Sequence, residues 1–156
     1  MDIVAWIREN SFRMANEVKK FRPRWMYEFL KEELEKVPRI KLLRGFRGVG
    51  KTTLLLQLFL ERSEDAVYVN VDHPRIKHLG LYEICAKLIE SGYSILLLDE
   101  AHTYPGWRSV VKSLHDEFSE AVIVVSGSAP LVLAAERREV EFSLDFPSLS
   151  EFIYLE

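Results

Sequence analysis

A glycine-rich loop between two apolar segments is the feature that most restricts how this chain can fold. The run GFRGVGKT at residues 45–52 fits the pattern G-x-x-x-x-G-K-[ST], in which backbone N–H groups surround phosphate groups. Residues 40–43 read as a short strand before the loop, and residues 51–61 read as an apolar helix after it. A strand, a glycine loop and a helix in this order predict a binding site for nucleotide phosphates.

Each residue type in the loop has a physical role in that prediction. Glycines let the backbone approach a phosphate, and the N-terminus of the following helix adds partial positive charge. Lys51 is expected to place its ammonium on the β- and γ-phosphates, and Thr52 to ligate Mg²⁺ through its hydroxyl. Thr53 is a candidate contact for the α-phosphate. The predicted nucleotide-binding residues are Gly45, Phe46, Arg47, Gly48, Val49, Gly50, Lys51, Thr52 and Thr53, with Arg47 alternatively pointing outward to a partner.

Two adjacent carboxylates follow an apolar strand farther along the chain. Residues 95–98 are Ile-Leu-Leu-Leu, and Asp99 and Glu100 come directly after them. Asp99 is predicted to hold Mg²⁺ directly or through a water, and Glu100 to orient and deprotonate an attacking water. The alternative is a pair of acids at a helix start, where negative charge is favourable. Because a phosphate loop occurs in the same chain, we favour the catalytic interpretation.

Strand and helix patterns alternate after the loop, which predicts an α/β fold. Strands separated by helices imply a mainly parallel sheet, and apolar strands fit a sheet covered on both faces. Ligands of such sheets bind beyond the carboxyl ends of the strands, where the loop and the two acids both fall. The predicted strands are 40–43, 67–71, 95–98, 121–125 and 140–144, and the later helices include 81–89, 107–118 and 130–137.

Composition fits a compact domain of ordinary size. The 156 residues are 48% hydrophobic and 29% charged, with a net charge of −3 that weakens the case for a nucleic-acid partner. The single cysteine, Cys85, lies in an apolar helical pattern and is expected to be buried. The N-terminus lacks a signal-peptide layout, and no apolar stretch approaches the roughly 18 residues that span a bilayer. We therefore expect a cytoplasmic protein without a membrane partner.

Several further residues are candidates with an ordinary structural alternative. Ser126 and Ser128 end the fourth strand, where a hydroxyl senses a γ-phosphate or simply belongs to a tight turn. Arg137 and Arg138 end a short helix, where a guanidinium would meet a phosphate of the same or a neighbouring subunit. The pair Asp72-His73, at the end of the second predicted strand, is a candidate for the rim of the nucleotide site. A basic cluster suggests either nucleic-acid contact or a solvated helix face; it consists of Arg13, Lys19, Lys20, Arg22 and Arg24. Alternatively, this segment packs near the nucleotide base, with Tyr27 or Arg24 close to it.

Taken together, several segments of the sequence resemble one protein family. The loop with its strand and helix, the run VYVNVD at 67–72, LLDEAH at 97–102 followed by Trp107, and IVVSGS at 123–128 are similar to the archaeal and bacterial AAA+-type ATPases of the AAA-14 kind. The closing FPSLSEF at 146–152 resembles the P-L-S-x-x-E-F phrase of that family. The likeness runs from about Arg24 to the C-terminus.

The resemblance implies a three-layer P-loop NTPase with a five-stranded, mainly parallel sheet flanked by helices, and the glycine-loop strand central. It also implies ATP and Mg²⁺ as ligands, Walker A and Walker B motifs, and catalytic roles for Glu100, Lys51, Ser126 and Arg138, with Ser128 and Arg137 as alternatives. Two departures are Phe46, where the family usually has proline, and the end of the chain at Glu156 before the usual helical lid.

The expected organisation is a helical segment over 1–38 that packs on a core, a P-loop ATPase core over 39–146, and the start of a truncated or absent lid over 147–156. The leading function is an ATPase that hydrolyses ATP to ADP and phosphate to switch or drive a protein partner or a second copy of the chain. The alternatives are a nucleotide-dependent binding module with little turnover and a small P-loop kinase. Residues 99–102 also spell the helicase signature D-E-A-H, but such helicases need two motor domains.

Overall fold

A computed structural model describes residues 2–20, 25–34, 40–44, 50–127 and 142–145. Helices and strands alternate along the chain after an N-terminal helical pair. The helices are α1 (Ile3–Asn16), α2 (Trp25–Glu33), α3 (Lys51–Glu61), α4 (Pro74–Leu79), α5 (Leu81–Glu90) and α6 (Trp107–Glu117). The strands are β1 (Ile40–Arg44), β2 (Ala66–Asn70), β3 (Ile95–Asp99), β4 (Val122–Gly127) and β5 (Phe142–Asp145).

The strands form a single parallel sheet in the order β2-β3-β4-β1-β5. The prediction of an α/β fold with a parallel sheet flanked by helices is thereby confirmed for β2, β3, β4 and β1, and β5 pairs with β1 at the edge. The strand that precedes the glycine loop is interior, although β4 and not β1 takes the middle place. Because β3 and β4 are neighbours, their carboxyl ends bring Asp99 and Ser126 to one edge of the sheet.

Both faces of the sheet are buried, as the near-continuous apolar strands predicted. Side chains alternate between the faces, so that Tyr68 and Leu97 pack with α2 and α3 on one side. Their neighbours Val69 and Leu98 pack with α4, α5 and α6 on the other. Cys85 lies wholly buried in this second cluster, and its burial raises the pKa of the thiol to about 12. The single cysteine is therefore a core residue.

Helix α1 covers the edge of strand β2 that does not pair with β3. Ser11 of this helix accepts a hydrogen bond from the Tyr68 backbone N–H at 3.0 Å, and its hydroxyl lies 3.1 Å from the Tyr68 carbonyl oxygen. The same hydroxyl donates to the Ile7 carbonyl at 2.8 Å. An uncovered edge strand presents unpaired backbone groups, and this serine provides the acceptor for the Tyr68 N–H. The N-terminal helix is therefore tied to the sheet at one residue of β2.

We expect Ser11→Ala to lower the free energy of unfolding by about 1–3 kcal/mol, because it leaves the buried Tyr68 N–H without a partner. Urea unfolding measures this change. The matched control is Ser91→Ala, which removes an exposed hydroxyl that donates to the Lys87 carbonyl four residues back. The control is expected to change stability by less than about 0.5 kcal/mol. Equal losses in the two variants would contradict the anchoring role of Ser11.

The sequence-based boundaries differ from the structure mainly at turns. Helix α3 has the predicted bounds, and strand β4 lies one to two residues later than predicted. Helix α4 was not predicted, since the sequence was read there only as the strand end Asp72-His73-Pro74. It forms because His73 Nδ1 accepts from the Arg75 N–H at 3.0 Å and Pro74 begins the first turn. The predicted helix over 130–137 lies outside the described residues.

Candidate active site

The N-terminus of α3 lies at the carboxyl edge of the sheet and begins directly after Gly50. This glycine has φ 94° and ψ 16°, a left-handed conformation that an L side chain rarely adopts. The left-handed turn lets the chain enter the helix with Lys51 as its first residue. The first N–H groups of a helix have no partner within it, so this end of α3 presents donors and partial positive charge to an anion.

The Asp99 carboxylate joins α3 to the end of β3. Only 2% of this residue is exposed, and four donors satisfy its two oxygens. Thr52 and Tyr68 donate their hydroxyls to Oδ2 at 2.7 and 2.6 Å. The Glu100 N–H donates to Oδ1 at 3.1 Å, and the buried Ser126 hydroxyl donates to the same oxygen. An ionised carboxylate accepts about four hydrogen bonds, so this arrangement is fully satisfied with the carboxylate charged.

Lys51 is buried beside these acids with 6% of its surface exposed. Burial lowers the pKa of its ammonium, and the negative charges of Glu100 and Asp99 oppose that change. Because burial is the larger effect, the pKa of Lys51 is lower than the ordinary value of 10.5. The protein therefore holds a partly desolvated cation at this end of α3, which suits it to an anionic ligand.

Glu100 leaves the sheet in a left-handed conformation, with φ 58° and ψ 35°. Within the described residues, Glu100 is the only non-glycine residue with a positive φ. The turn that follows is secured by Thr103, whose N–H and hydroxyl both donate to the Glu100 carbonyl, at 3.1 and 2.8 Å. The Glu100 carboxylate is partly exposed, and its Oε2 lies 3.6 Å from His102 Nε2. Strained backbone at a strand end is typical of functional sites, and here it falls on the acid that directly follows Asp99.

The structure brings together five of the residues singled out in the sequence: Lys51, Thr52, Asp99, Glu100 and Ser126. Thr53 lies beside them in the first turn of α3, and Gly50 precedes that turn. The other predicted positions lie outside the described residues: Gly45, Phe46, Arg47, Gly48 and Val49 of the loop, and Ser128, Arg137 and Arg138.

Tyr68 is a site residue that the sequence analysis missed, because it was read only as part of an apolar strand. Burial, together with the charge of Asp99, raises the pKa of its phenol well above the ordinary value, so the hydroxyl stays protonated and donates. A signal was present in the alternation of β2. Tyr68 faces the same side as Leu97 and Asp99, and this polar group had to find a partner there.

Two other candidate positions have structural roles instead. His73 caps α4, and its ring packs on Trp6 with centroids 4.9 Å apart. Tyr27 is buried in the cluster beside α3, and its hydroxyl contacts Glu61 Oε2 at 2.5 Å. Glu61 is the last residue of α3 and Lys51 the first, so the two ends are about 15 Å apart. The Tyr27 hydroxyl therefore lies toward the end of α3 opposite Lys51, and its proximity to a bound base stays a prediction.

The basic cluster is only partly described. Arg13 is exposed at the end of α1 and donates to Asn10, while Lys19 is exposed beyond the helix. Arg22 and Arg24 lie outside the described residues. An exposed helix end explains the described members without a nucleic-acid ligand.

The donors around Asp99 fit Mg²⁺ better than a metal that takes several side-chain ligands. Mg²⁺ is usually bound by one or two protein oxygens together with waters and substrate phosphates. Asp99 and Thr52 supply a carboxylate and a hydroxyl at 2.7 Å from each other, beside the anion-binding end of α3. Among the described residues, no group of three or more His, Cys, Asp or Glu side chains is placed to hold a metal.

This geometry of interior strand, α3 and acid strand defines a P-loop-like α/β domain of the AAA class. Residues 37–152 match the AAA_14 family, an AAA domain, and the chain belongs to that family. The uncharacterized protein MJ1637 of Methanocaldococcus jannaschii is 30% identical over an aligned length of 157 positions, and the alignment covers 87% of this chain and 33% of the relative. The chain thus spans about a third of the length of that relative.

Solved structures of low identity share the fold. A DNA replication initiation factor has a TM-score of 0.59 at 18% identity, covering 88% of this chain and 51% of its own. AMPPCP-bound DnaA from Aquifex aeolicus has a TM-score of 0.52 at 19% identity, and the match covers 85% of this chain and 48% of the DnaA chain. The RuvB Holliday junction branch migration motor of Thermotoga maritima has a TM-score of 0.51 at 19% identity, and the match covers 88% of this chain and 48% of the RuvB chain.

None of the helices within the described ranges is long and apolar enough to cross a membrane.

Proposed function

We propose that this domain binds ATP with Mg²⁺ and hydrolyses it to ADP and phosphate, and that the nucleotide cycle switches or drives a partner. One observation carries the proposal. The buried Asp99 carboxylate holds the Thr52 hydroxyl through one oxygen and the Ser126 hydroxyl and Glu100 N–H through the other. The element that follows the glycine loop is thereby joined to the acid that follows β3, within a family of AAA domains.

Binding is assigned to the N-terminus of α3 and to Lys51. The loop residues 45–50 and the first N–H groups of α3 would surround the phosphates, and the Lys51 ammonium would neutralise charge on the β- and γ-phosphates. Thr52 and Asp99 are the residues that would hold Mg²⁺: Thr52 through its hydroxyl, and Asp99 through Thr52 and through a water that would replace one of the donors on Oδ1. When bound, Mg²⁺ supplies positive charge against the phosphate oxygens.

Hydrolysis is assigned to Glu100 acting on a water. Its carboxylate is next to the Asp99 site and partly exposed, so it can accept a proton from a water aligned with the γ-phosphate. Ser126 is proposed as the polar group that links phosphate state to the sheet, since it donates to Asp99 and lies 3.4 Å from the Glu100 nitrogen. Arg138, or Arg137, is proposed to reach a phosphate from the same or a neighbouring subunit of an oligomer.

A second candidate function is a nucleotide-dependent binding module with little turnover. The observation that favours it is the position of the His102 ring, whose Nε2 lies 3.6 Å from Glu100 Oε2, because a ring at this distance takes space that a water would need beside the carboxylate. In that case ATP would bind with Mg²⁺, but phosphate release would stay at the background rate.

Metal removal tests the leading proposal. We expect steady-state phosphate release from ATP to fall to the buffer rate when EDTA removes Mg²⁺, and to return fully when MgCl₂ is added in excess. Isothermal titration of ATP, with and without Mg²⁺, is measured in parallel. Binding that requires Mg²⁺ but is never followed by phosphate release would favour the binding module. Failure to bind ATP under either condition would refute both functions.

A further inference from the structure

We propose that Tyr68 is a positioning residue for Asp99, and that its hydroxyl keeps the Asp99–Thr52 pair in the geometry that admits Mg²⁺. The inference rests on the proposed function and adds to it a residue from the edge strand, outside both sequence motifs. It is carried by one shared acceptor: Tyr68 and Thr52 both donate to Asp99 Oδ2, at 2.6 and 2.7 Å.

The direction of the Thr52 proton explains why this matters. A threonine hydroxyl has one proton and two lone pairs. When the proton is directed to Asp99 Oδ2, the lone pairs face away from the carboxylate and are open to a cation. Thr52 is therefore presented to a cation in this orientation when Oδ2 stays where the hydroxyl can reach it. Oδ1 is held by Ser126 and the Glu100 N–H, and Tyr68 is the second donor that holds Oδ2.

Tyr68 is itself held at its backbone. The Ser11 hydroxyl of α1 accepts from the Tyr68 N–H at 3.0 Å and lies 3.1 Å from its carbonyl oxygen. The ring is buried among the side chains beside α3, with 2% of the residue exposed. A phenol with a fixed backbone and a buried ring has little freedom to leave Asp99. Helix α1 thus helps to determine the position of a carboxylate in the candidate metal site.

Tyr68→Phe tests this role, because it removes only the hydroxyl. The matched control is Tyr27→Phe. Tyr27 is also buried, with 4% exposed, lies in the same core cluster and donates to a carboxylate, but that carboxylate is Glu61 at the far end of α3. The probe is a fluorescent, non-hydrolysable ATP analogue. Its binding is followed while MgCl₂ is titrated, and separately in EDTA.

We expect Tyr68→Phe to raise the Mg²⁺ concentration at half-maximal binding about fivefold to tenfold, as for the loss of one hydrogen bond of ordinary strength. Binding in EDTA and turnover at saturating Mg²⁺ are expected to change less than about threefold. Tyr27→Phe is expected to leave the Mg²⁺ midpoint unchanged. Such a split between metal requirement and metal-free binding would not arise from a general loss of stability.

An unchanged Mg²⁺ midpoint in Tyr68→Phe would overturn the inference while leaving the proposed function intact. If wild-type protein binds the analogue without any dependence on Mg²⁺, the role of Tyr68 fails, and if its phosphate release is also unaffected by EDTA, the proposed function fails as well. Should Tyr68→Phe not fold, Ser11→Ala decides the matter, because it loosens Tyr68 only at the backbone. We expect that variant to raise the Mg²⁺ midpoint about twofold to threefold, and no rise would overturn the inference.

Discussion

Replacement of Glu100 by glutamine is expected to lower ATP turnover about 100-fold or more, while ATP still binds in the presence of Mg²⁺. Glutamine keeps the size of the side chain and can stay in the same left-handed backbone turn, but its amide cannot take a proton from water. Loss of a general base costs about 10²–10⁴ in rate. Because Lys51, Thr52 and Asp99 are unchanged, the affinity for ATP should change less than about threefold.

Phosphate release and ATP titration on the same preparation measure the two quantities separately. Glu90→Gln is a suitable control, since Glu90 is an exposed acid on α5, across the sheet from α3. The control should have wild-type turnover. If Glu100→Gln retains the wild-type rate as well, Glu100 is not the base. If wild type has no turnover above Glu100→Gln, the domain is a nucleotide-dependent binding module.

Replacement of Lys51 by methionine is expected to reduce ATP affinity about 100-fold without lowering the stability of the nucleotide-free protein. The loss of affinity follows from removing charge-assisted contacts to two phosphates. The second expectation follows from the lowered pKa of Lys51, which means that folding disfavours its charged form. Methionine keeps an apolar stem of similar length and removes the buried charge, so the melting temperature without nucleotide should be equal to or above that of wild type.

The pH dependence has a definite sign. A lysine whose pKa is lower in the folded protein binds its proton more readily when unfolded, so stability rises with pH between the lowered pKa and 10.5. That alkaline gain should be absent in Lys51→Met and present in Lys112→Met, which removes an exposed lysine of α6. Thermal unfolding in EDTA at several pH values measures both effects. Marked destabilisation of Lys51→Met would instead mean that contacts of Lys51 with Asp99 and Glu100 hold the site together.

Much of the fold followed from local patterns. The glycine, lysine and threonine at 50–52 predicted the start of α3 because a glycine loop followed by an apolar helical run is a local feature, and Gly50 has the left-handed conformation that suits this entry. The strands 95–98 and 121–125 were recognisable because a strand buried on both faces is continuously apolar. Helix α4 was not recognised, since its first turn depends on a histidine cap, which is an uncommon signal.

The candidate site divides in the same way. Lys51, Thr52, Asp99 and Glu100 were predicted because their chemistry is written in short motifs next to a strand or a helix. Tyr68 was not, because its hydroxyl matters only through a residue 31 positions away. The placement of α1 was equally inaccessible, since a serine and the backbone of an edge strand meet across 57 positions. Periodicity reports which face of an element is buried, but not which element buries it.

The sequence by itself determined that this chain has a phosphate-type loop, a following helix and an acid strand, because each depends on residues that are neighbours in the chain. Only the tertiary structure decided the strand order β2-β3-β4-β1-β5, which brings Asp99 next to Ser126 and within reach of Thr52. It also decided that three hydroxyls from three elements, α3, β2 and β4, meet at one carboxylate with the N–H of the next residue. Such a meeting depends on long-range packing, and the requirement that a buried charge be fully hydrogen-bonded is satisfied only when the whole sheet is assembled.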